Sequence, residues 1–286
     1  MQKLLMVFGM LMLLYTNICC QSPDKIYLLV RADDIGFTHA ANKACIESYT
    51  NGIARSVEIM VPAPWFEEAV LMLKDHPGYD VGIHLVLTSE WTHLKWRPLS
   101  HAPSLIDDDG YFHPFIWPNK VEGATFFRDN DWKLEEVERE FRAQIELGLK
   151  KIPYASHLSY HMGSNNADPA INEMVKKLAK EYRLDIDPDD FGVKRAPGFG
   201  GSKTTFEEKE ANFISMLDGL EPGIYMFVDH PGYDTPEMQS VSHVGYGHVA
   251  ADREGVTKAF TSSKIKKAIE DKGIILISYK DLPTLK

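Results

Sequence analysis

Between residues 26 and 87 three short apolar runs alternate with two stretches of helical period, and this alternation constrains the chain more than any other feature. The runs at 26–30, 56–61 and 81–87 are rich in strand formers and lack polar alternation, as strands buried on both faces do. Between them, 39–49 has helical character and closes on Asn51-Gly52. Residues 65–74 carry Trp65, Phe66, Ala69, Val70 and Leu73 on one helical face and stop at His76-Pro77-Gly78. A β-α-β-α-β order needs parallel strands with helices outside them. The first run ends on Asp33-Asp34-Ile35-Gly36, which taken alone also describes an Asp-type turn. Side chains of neighbouring strand residues point to opposite sides, so the two carboxylates need not share a role.

The pattern continues. A helix over 134–149 shows the stripe Leu134, Val137, Phe141, Ile145 and Leu149, and a strand with its exit loop follows at 154–161. Asp168-Pro169 opens a helix with a face through Ile171, Met174, Val175, Leu178 and Tyr182. A strand at 191–196 leads into the flexible Gly198–Gly201 loop, and Thr205 with Glu208 forms a capping box for a helix to Leu217. Strands at 223–228 and 274–279 flank a last helix over 263–272. Between 88 and 131 periodicity is lost in a Pro- and Trp-rich insertion, a length that usually marks a lid or substrate wall. Of its aromatics (Trp91, Trp96, Tyr111, Phe112, Trp117), most are expected to pack the insertion down. These elements match an α/β fold, a single-domain, distorted or incomplete (β/α) TIM-like barrel, with a doubly wound open sheet as the alternative.

Residues 1–20 lie apart from that pattern. A short basic start precedes an apolar stretch too short to span a membrane comfortably, which is signal-peptide architecture. It ends near Cys19-Cys20, so lipid attachment to one of these cysteines is the alternative to release of a soluble chain near Gln21. The rest, 21–286, is one domain, expected outside the cytoplasm in the periplasm or cell envelope. Removing Lys3, the one charged residue in 1–20, takes the formal charge from −10 to −11. That charge argues against nucleic acid and anionic membrane surfaces, leaving a lipid anchor as the one membrane contact. Cys45 then stands alone at an apolar helical position, suited to a core and not to a disulfide framework.

In a parallel α/β fold the residues at carboxyl ends of strands converge on one face. Those closing the expected strands are Asp33, Asp34, His84, His157, His161, Arg195, Asp229 and His230. A single His after a strand is more often a satisfied structural residue; so many on one face point to a site. One Asp with two His makes a divalent metal site with open positions, a further carboxylate can take a proton from water, and a His across the site can protonate a leaving group. No Gly-x-Ser-x-Gly elbow competes. His39, His76, His93, His101 and His113 read as structural or surface residues, and so do His243 and His248, whose Gly-containing loop after the His-Pro-Gly turn makes them the candidates of this group to line the mouth.

The stretches Val30-Arg31-Ala32-Asp33-Asp34-Ile35-Gly36-Phe37, Gly82-Ile83-His84-Leu85, Ser156-His157-Leu158-Ser159-Tyr160-His161, His230-Pro231-Gly232 and Leu276-Ile277-Ser278-Tyr279 resemble the YdjC-like family, the ChbG/HpnK-type carbohydrate deacetylases, in consistent order over nearly the whole chain after residue 25. The resemblance implies a barrel hydrolase that removes acetyl groups from N-acetylated sugars by attack of a metal-activated water. It implies one divalent ion (Zn, Mg, Mn or Co) on Asp34, His84 and His161. By the same resemblance Asp33 is the base, His230 an acid or oxyanion partner, and Arg195 faces substrate. The partner is an acetylated sugar or oligosaccharide; oligomeric state stays open, a homo-oligomer included. Hydrolysis of another ester, amide or phosphoryl substrate, or glycan binding by a degenerate site, are the alternatives. The chain departs from the family's Asp-Ser-His-x-His-x-His run: Ser159 stands where the supporting acid is expected, and Met162-Gly163-Ser164 lacks the later imidazoles.

Overall fold

Alternation along the first strand, β1 (Ile26–Ile35), as far as Ala32 sets the architecture of the computed structural model, which describes residues 24–121 and 123–285. Leu28, Val30 and Ala32 point into the main apolar core, while Tyr27 and Leu29 join a separate small cluster with Ile224, Ile277, Tyr279 and Leu282. Two cores on two faces of one strand mean a sheet with helices outside and a filled interior, the layering of a barrel. The leader expected at residues 1–20 lies outside the described residues.

Among the described residues seven strands form one sheet, and every pairing within it is parallel. After β1 come β2 (Ser56–Ile59), β3 (Val81–Leu85), β4 (His157–Tyr160), β5 (Lys194–Arg195), β6 (Gly223–Asp229) and β7 (Ile275–Ile277). Their order is β4-β3-β2-β1-β6-β5, with β7 against β1. Residues Tyr27 to Leu29 pair with both β6 and β7, and Arg31 and Ala32 with both β6 and β2. One edge of β1 is therefore shared by β7 and β2, and β6 runs along the other. The sheet curls without closing between β4 and β5, an incomplete barrel; the doubly wound alternative is excluded.

The helices are α1 (His39–Thr50), α2 (Phe66–Lys74), α3 (Leu134–Lys151), α4 (Pro169–Tyr182), α5 (Phe206–Asp218), α6 (Pro236–Gln239), α7 (Val249–Thr261) and α8 (Ser263–Asp271). Caps form where the sequence puts them at Asp168 before Pro169 on α4 and at the Thr205–Glu208 box on α5, and the Thr38 side chain caps α1 as well. Two features depart from the sequence expectation. The strand expected over 191–196 is two residues long, and α6 and α7 fill a region to which the sequence reading assigned no element.

The 88–131 insertion packs as expected, with Trp91, Trp96, Phe112, Phe115 and Phe127 buried and Trp117 at the surface. Acids of α3 fasten it: Glu140 accepts from the Leu99 and Ser100 amides, and Glu136 from the Ser104 amide. Gln144 holds the exit of β3 through both the amide and the carbonyl of Val86. Burying these acids is tolerable because their oxygens are bonded.

Candidate active site

The end of β1 is irregular, and the irregularity builds the site. The register against β2 shifts between Ala32 and Ile35, and Asp34 has φ 71°, a left-handed conformation that costs a non-glycine residue about 1 kcal/mol. In a regular strand Asp33 and Asp34 would point to opposite faces. Here the His84 Nε2 lies 3.8 Å from Asp33 Oδ2 and 3.7 Å from Asp34 Oδ1, so both carboxylates address one imidazole. Gly36 completes the turn at φ 108°, where a Cβ would sit 2.9 Å from the Met60 carbonyl.

Asp34, His84 and His161 each offer one ligand atom, all within 4.8 Å of one another, the one such cluster among the described residues. All three are buried. Asp34 Oδ2 accepts from Arg253 Nη2 at 2.8 Å, while Oδ1 is buried and accepts no hydrogen bond, although His161 Nδ1 stands 3.3 Å away. An orphaned buried carboxylate oxygen facing two imidazoles fits a divalent cation, and an oxygen-and-nitrogen donor set is the type Zn²⁺ and its neighbours take. Burial alone would raise the Asp34 pKa, but the charges of His230, Arg253 and His161 hold it well below the usual carboxylate range. Burial pushes His84 down to about 4 despite Asp33, leaving its ring neutral. His161 goes the other way: Glu90 and Asp34 overcome its burial and raise it to about 10.

Asp33 is gripped differently. Arg31 Nε and Nη2 each donate to one of its oxygens at 2.7 Å, a bidentate fork, and Arg31 Nη1 donates to the Tyr279 hydroxyl at 2.9 Å. His230 follows β6; its Nδ1 stands 3.4 Å from Asp229 Oδ1. Burial disfavours its charged form, yet Asp34 and Asp229 raise its pKa above the ordinary imidazole value. Arg195 is not gathered into this group. It is exposed on β5 and lines, with Arg31, Ser159 and Tyr279, a cleft of about 460 Å³ toward the open side of the sheet, whose walls among the described residues include neither the cluster nor His230.

Several functional neighbours escape a sequence reading. Arg253 comes from α7, where Gly255 interrupts the helical signal. Glu90, in the insertion, stands 3.2 Å from His161 Nε2. Glu58 is fully buried in β2; a lone acid inside the run Ser-Val-Glu-Ile-Met-Val was the available sign. His157, one of the strand-end candidates, is fully buried behind the site against Glu58, and His243 packs on Trp91 and Phe115.

Comparison with known proteins gives concordant matches. The family described as YdjC-like protein matches residues 27–271. A carbohydrate deacetylase of Geobacillus stearothermophilus is 30% identical over 273 residues, covering 89% of this chain and 97% of the relative. A carbohydrate deacetylase of Thermus thermophilus is 33% identical over 234 residues, covering 75% and 80%. A crystal structure of a candidate cellobiose-phosphate cleavage protein from Enterococcus faecalis V583 superposes with a TM-score of 0.70 at 24% identity, covering 90% of this chain and 99% of that one. At that identity the superposition speaks to the fold, and it agrees with the curled parallel sheet.

Proposed function

The chain belongs to the YdjC-like family, and on that footing we propose that it is a carbohydrate deacetylase, a metal-dependent hydrolase that releases acetate from N-acetylated sugars outside the cytoplasm. The observation that carries the reading is the orphaned Asp34 Oδ1 between the imidazoles of His84 and His161. Asp34, His84 and His161 would hold a divalent ion, which would supply Lewis acidity and lower the pKa of a bound water toward neutral. The roles of the chain's own groups follow from their partners. Asp33 takes the proton of the attacking water, and the Arg31 fork fixes its orientation. As the carbon–nitrogen bond breaks, His230, kept protonated by Asp34 and Asp229, gives its proton to the departing amine. The products are acetate and the amino sugar. Arg253 neutralises Asp34 from behind and leaves one oxygen for the ion.

Arg195, exposed in the cleft wall, is assigned to substrate at some distance from the scissile bond. The basic start and apolar stretch of residues 1–20 support export to the periplasm or envelope, and the mass of the mature N-terminus separates a lipidated cysteine from a soluble chain. The test of function is acetate release from a panel of N- and O-acetylated sugars, with and without chelator, for wild type and His84→Ala. Chelator-sensitive release that His84→Ala lacks is expected. Release that survives both treatments overturns the metal mechanism.

A further inference from the structure

The barrel interior behind the site is polar, and its hydrogen bonds determine which nitrogen of His84 faces Asp34. Glu58 is a fully buried acid on β2, costly unless its oxygens are satisfied. Its Oε1 accepts from Ser56 Oγ at 2.7 Å and lies 3.0 Å from His157 Nε2; its Oε2 accepts from Ser159 Oγ. The carboxylate rests over bare backbone: a Cβ on Gly82 would lie 2.0 Å from Glu58 Oε2 and 2.4 Å from His157 Nε2. His157 is clamped in turn. Its ring stacks on Tyr279 at 3.4 Å and 8°, and its Nδ1 meets Ser156 Oγ at 2.7 Å, whose own proton goes to Asp80.

Ser159 has one hydroxyl proton, and it is spent on Glu58. Toward His84 Nδ1, 2.8 Å away, its oxygen can therefore only accept. The proton of His84 sits on Nδ1, and the lone pair is on Nε2, the atom 3.7 Å from Asp34 Oδ1. We propose that Glu58, acting through the Ser159 hydroxyl, is the positioning residue that fixes the tautomer and angle of His84 and so presents Nε2 to the metal. The inference rests on the metal reading of the site. It accounts for Ser159 standing where a supporting acid was expected: the carboxylate comes from β2, two strands away across β3, one hydroxyl further from the imidazole. Groups behind an imidazole ligand typically change metal affinity by about 10- to 100-fold.

The test is Zn²⁺ affinity by competition with a chelating dye, together with the visible spectrum of the Co²⁺ form, on the full chain. Glu58→Gln, close in shape, is expected to weaken Zn²⁺ by about 10- to 100-fold and alter the Co²⁺ spectrum. Ser159→Ala, which removes one hydroxyl and threatens folding less, should move both in the same direction. Adding Ser159→Asp to Glu58→Gln brings a carboxylate directly to His84 and should recover most of the affinity, a rescue that a merely structural role for Glu58 would not give. Wild-type affinity and spectrum in both single variants, or no gain in the double variant, overturns the relay. A wild type that takes up neither ion overturns the metal reading and the relay with it, an outcome distinct from a wild type that binds beside variants that bind equally well.

Discussion

The two faces of β1 are built from different chemistry. Outward, Leu28, Val30 and Ala32 lie fully buried under the helices, where each fills volume and has no directional demand. Inward, two apolar residues are followed by Arg31 and Asp33, each locked by hydrogen bonds to a named partner. The outward face carries the fold in proportion to area, about 25 cal/mol per Å². The inward face carries the chemistry and depends on pairing, since a buried group that loses its partner costs more than the bond was worth. Changes of volume should therefore injure the outside, and changes of charge at constant volume the inside.

The largest effect expected from that contrast is at the carboxylates. Asp34→Asn should lose metal, by elemental analysis of purified protein, and lose turnover by about 10⁴-fold or more, roughly 5 kcal/mol of barrier. Asp33→Asn should keep its metal and still lose about 10²- to 10⁴-fold in kcat. Identical metal content and rate in the two variants would erase the division of labour between them.

Next comes a matched pair across the sheet. Leu28→Ala on the outside should cost about 3 kcal/mol in denaturant unfolding and leave Zn²⁺ affinity unchanged. Gly82→Ala on the inside adds one methyl against a pinned Glu58 and should cost about 2 kcal/mol while also weakening Zn²⁺ binding. If both variants lost stability alone, the inside would be no more than a core.

A smaller change tests the fork on Asp33. Arg31→Lys keeps the charge and gives up the bidentate geometry, so kcat should fall about tenfold with KM little altered. A KM effect of that size with kcat intact would move Arg31 from the base to the substrate.

The smallest effect is a displacement in pH. A general acid acts only while protonated, and the His230 pKa is raised because Asp34 and Asp229 outweigh its burial. Activity should persist above the ordinary imidazole range and fall as pH rises through the raised value. Asp229→Asn removes one of the raising charges and should bring that alkaline limb down toward neutral pH in a kcat profile. A limb that stays in place assigns it to another group.

The outside of the barrel was the legible part of the sequence. Buried parallel strands read as unbroken apolar runs, and most of the strands among the described residues, the two-residue β5 apart, stand with most of the helices where periodicity put them. The strand-end residues were legible as a set because topology alone brings them to one face; Asp33, Asp34, His84 and His161 did meet. Strand periodicity put the two acids on opposite sides, because no pattern announces a left-handed residue at Asp34. Partners supplied from far away in sequence were not legible at all. Arg253 is 219 residues from Asp34, and Ser159 is 101 from Glu58, so neither pairing leaves a local trace. Ser159 looked like a loss when read along its own strand and is part of a bridge when read across three.

The position of β1 also has a kinetic side. β6 runs along one of its edges and the last strand, β7, shares the other with β2; both β6 and β7 lie far downstream in the chain. The first strand made is thus among the last to be satisfied, and loop-closure entropy must be met before those contacts stabilise anything. Until Ile275 to Ile277 emerge, Tyr27 to Leu29 present an unpaired apolar edge, the kind of segment that invites wrong pairing between chains. Shortening the chain before β7 should thus trap it in refolding as aggregates, even though the cluster of Asp34, His84 and His161 lies wholly upstream.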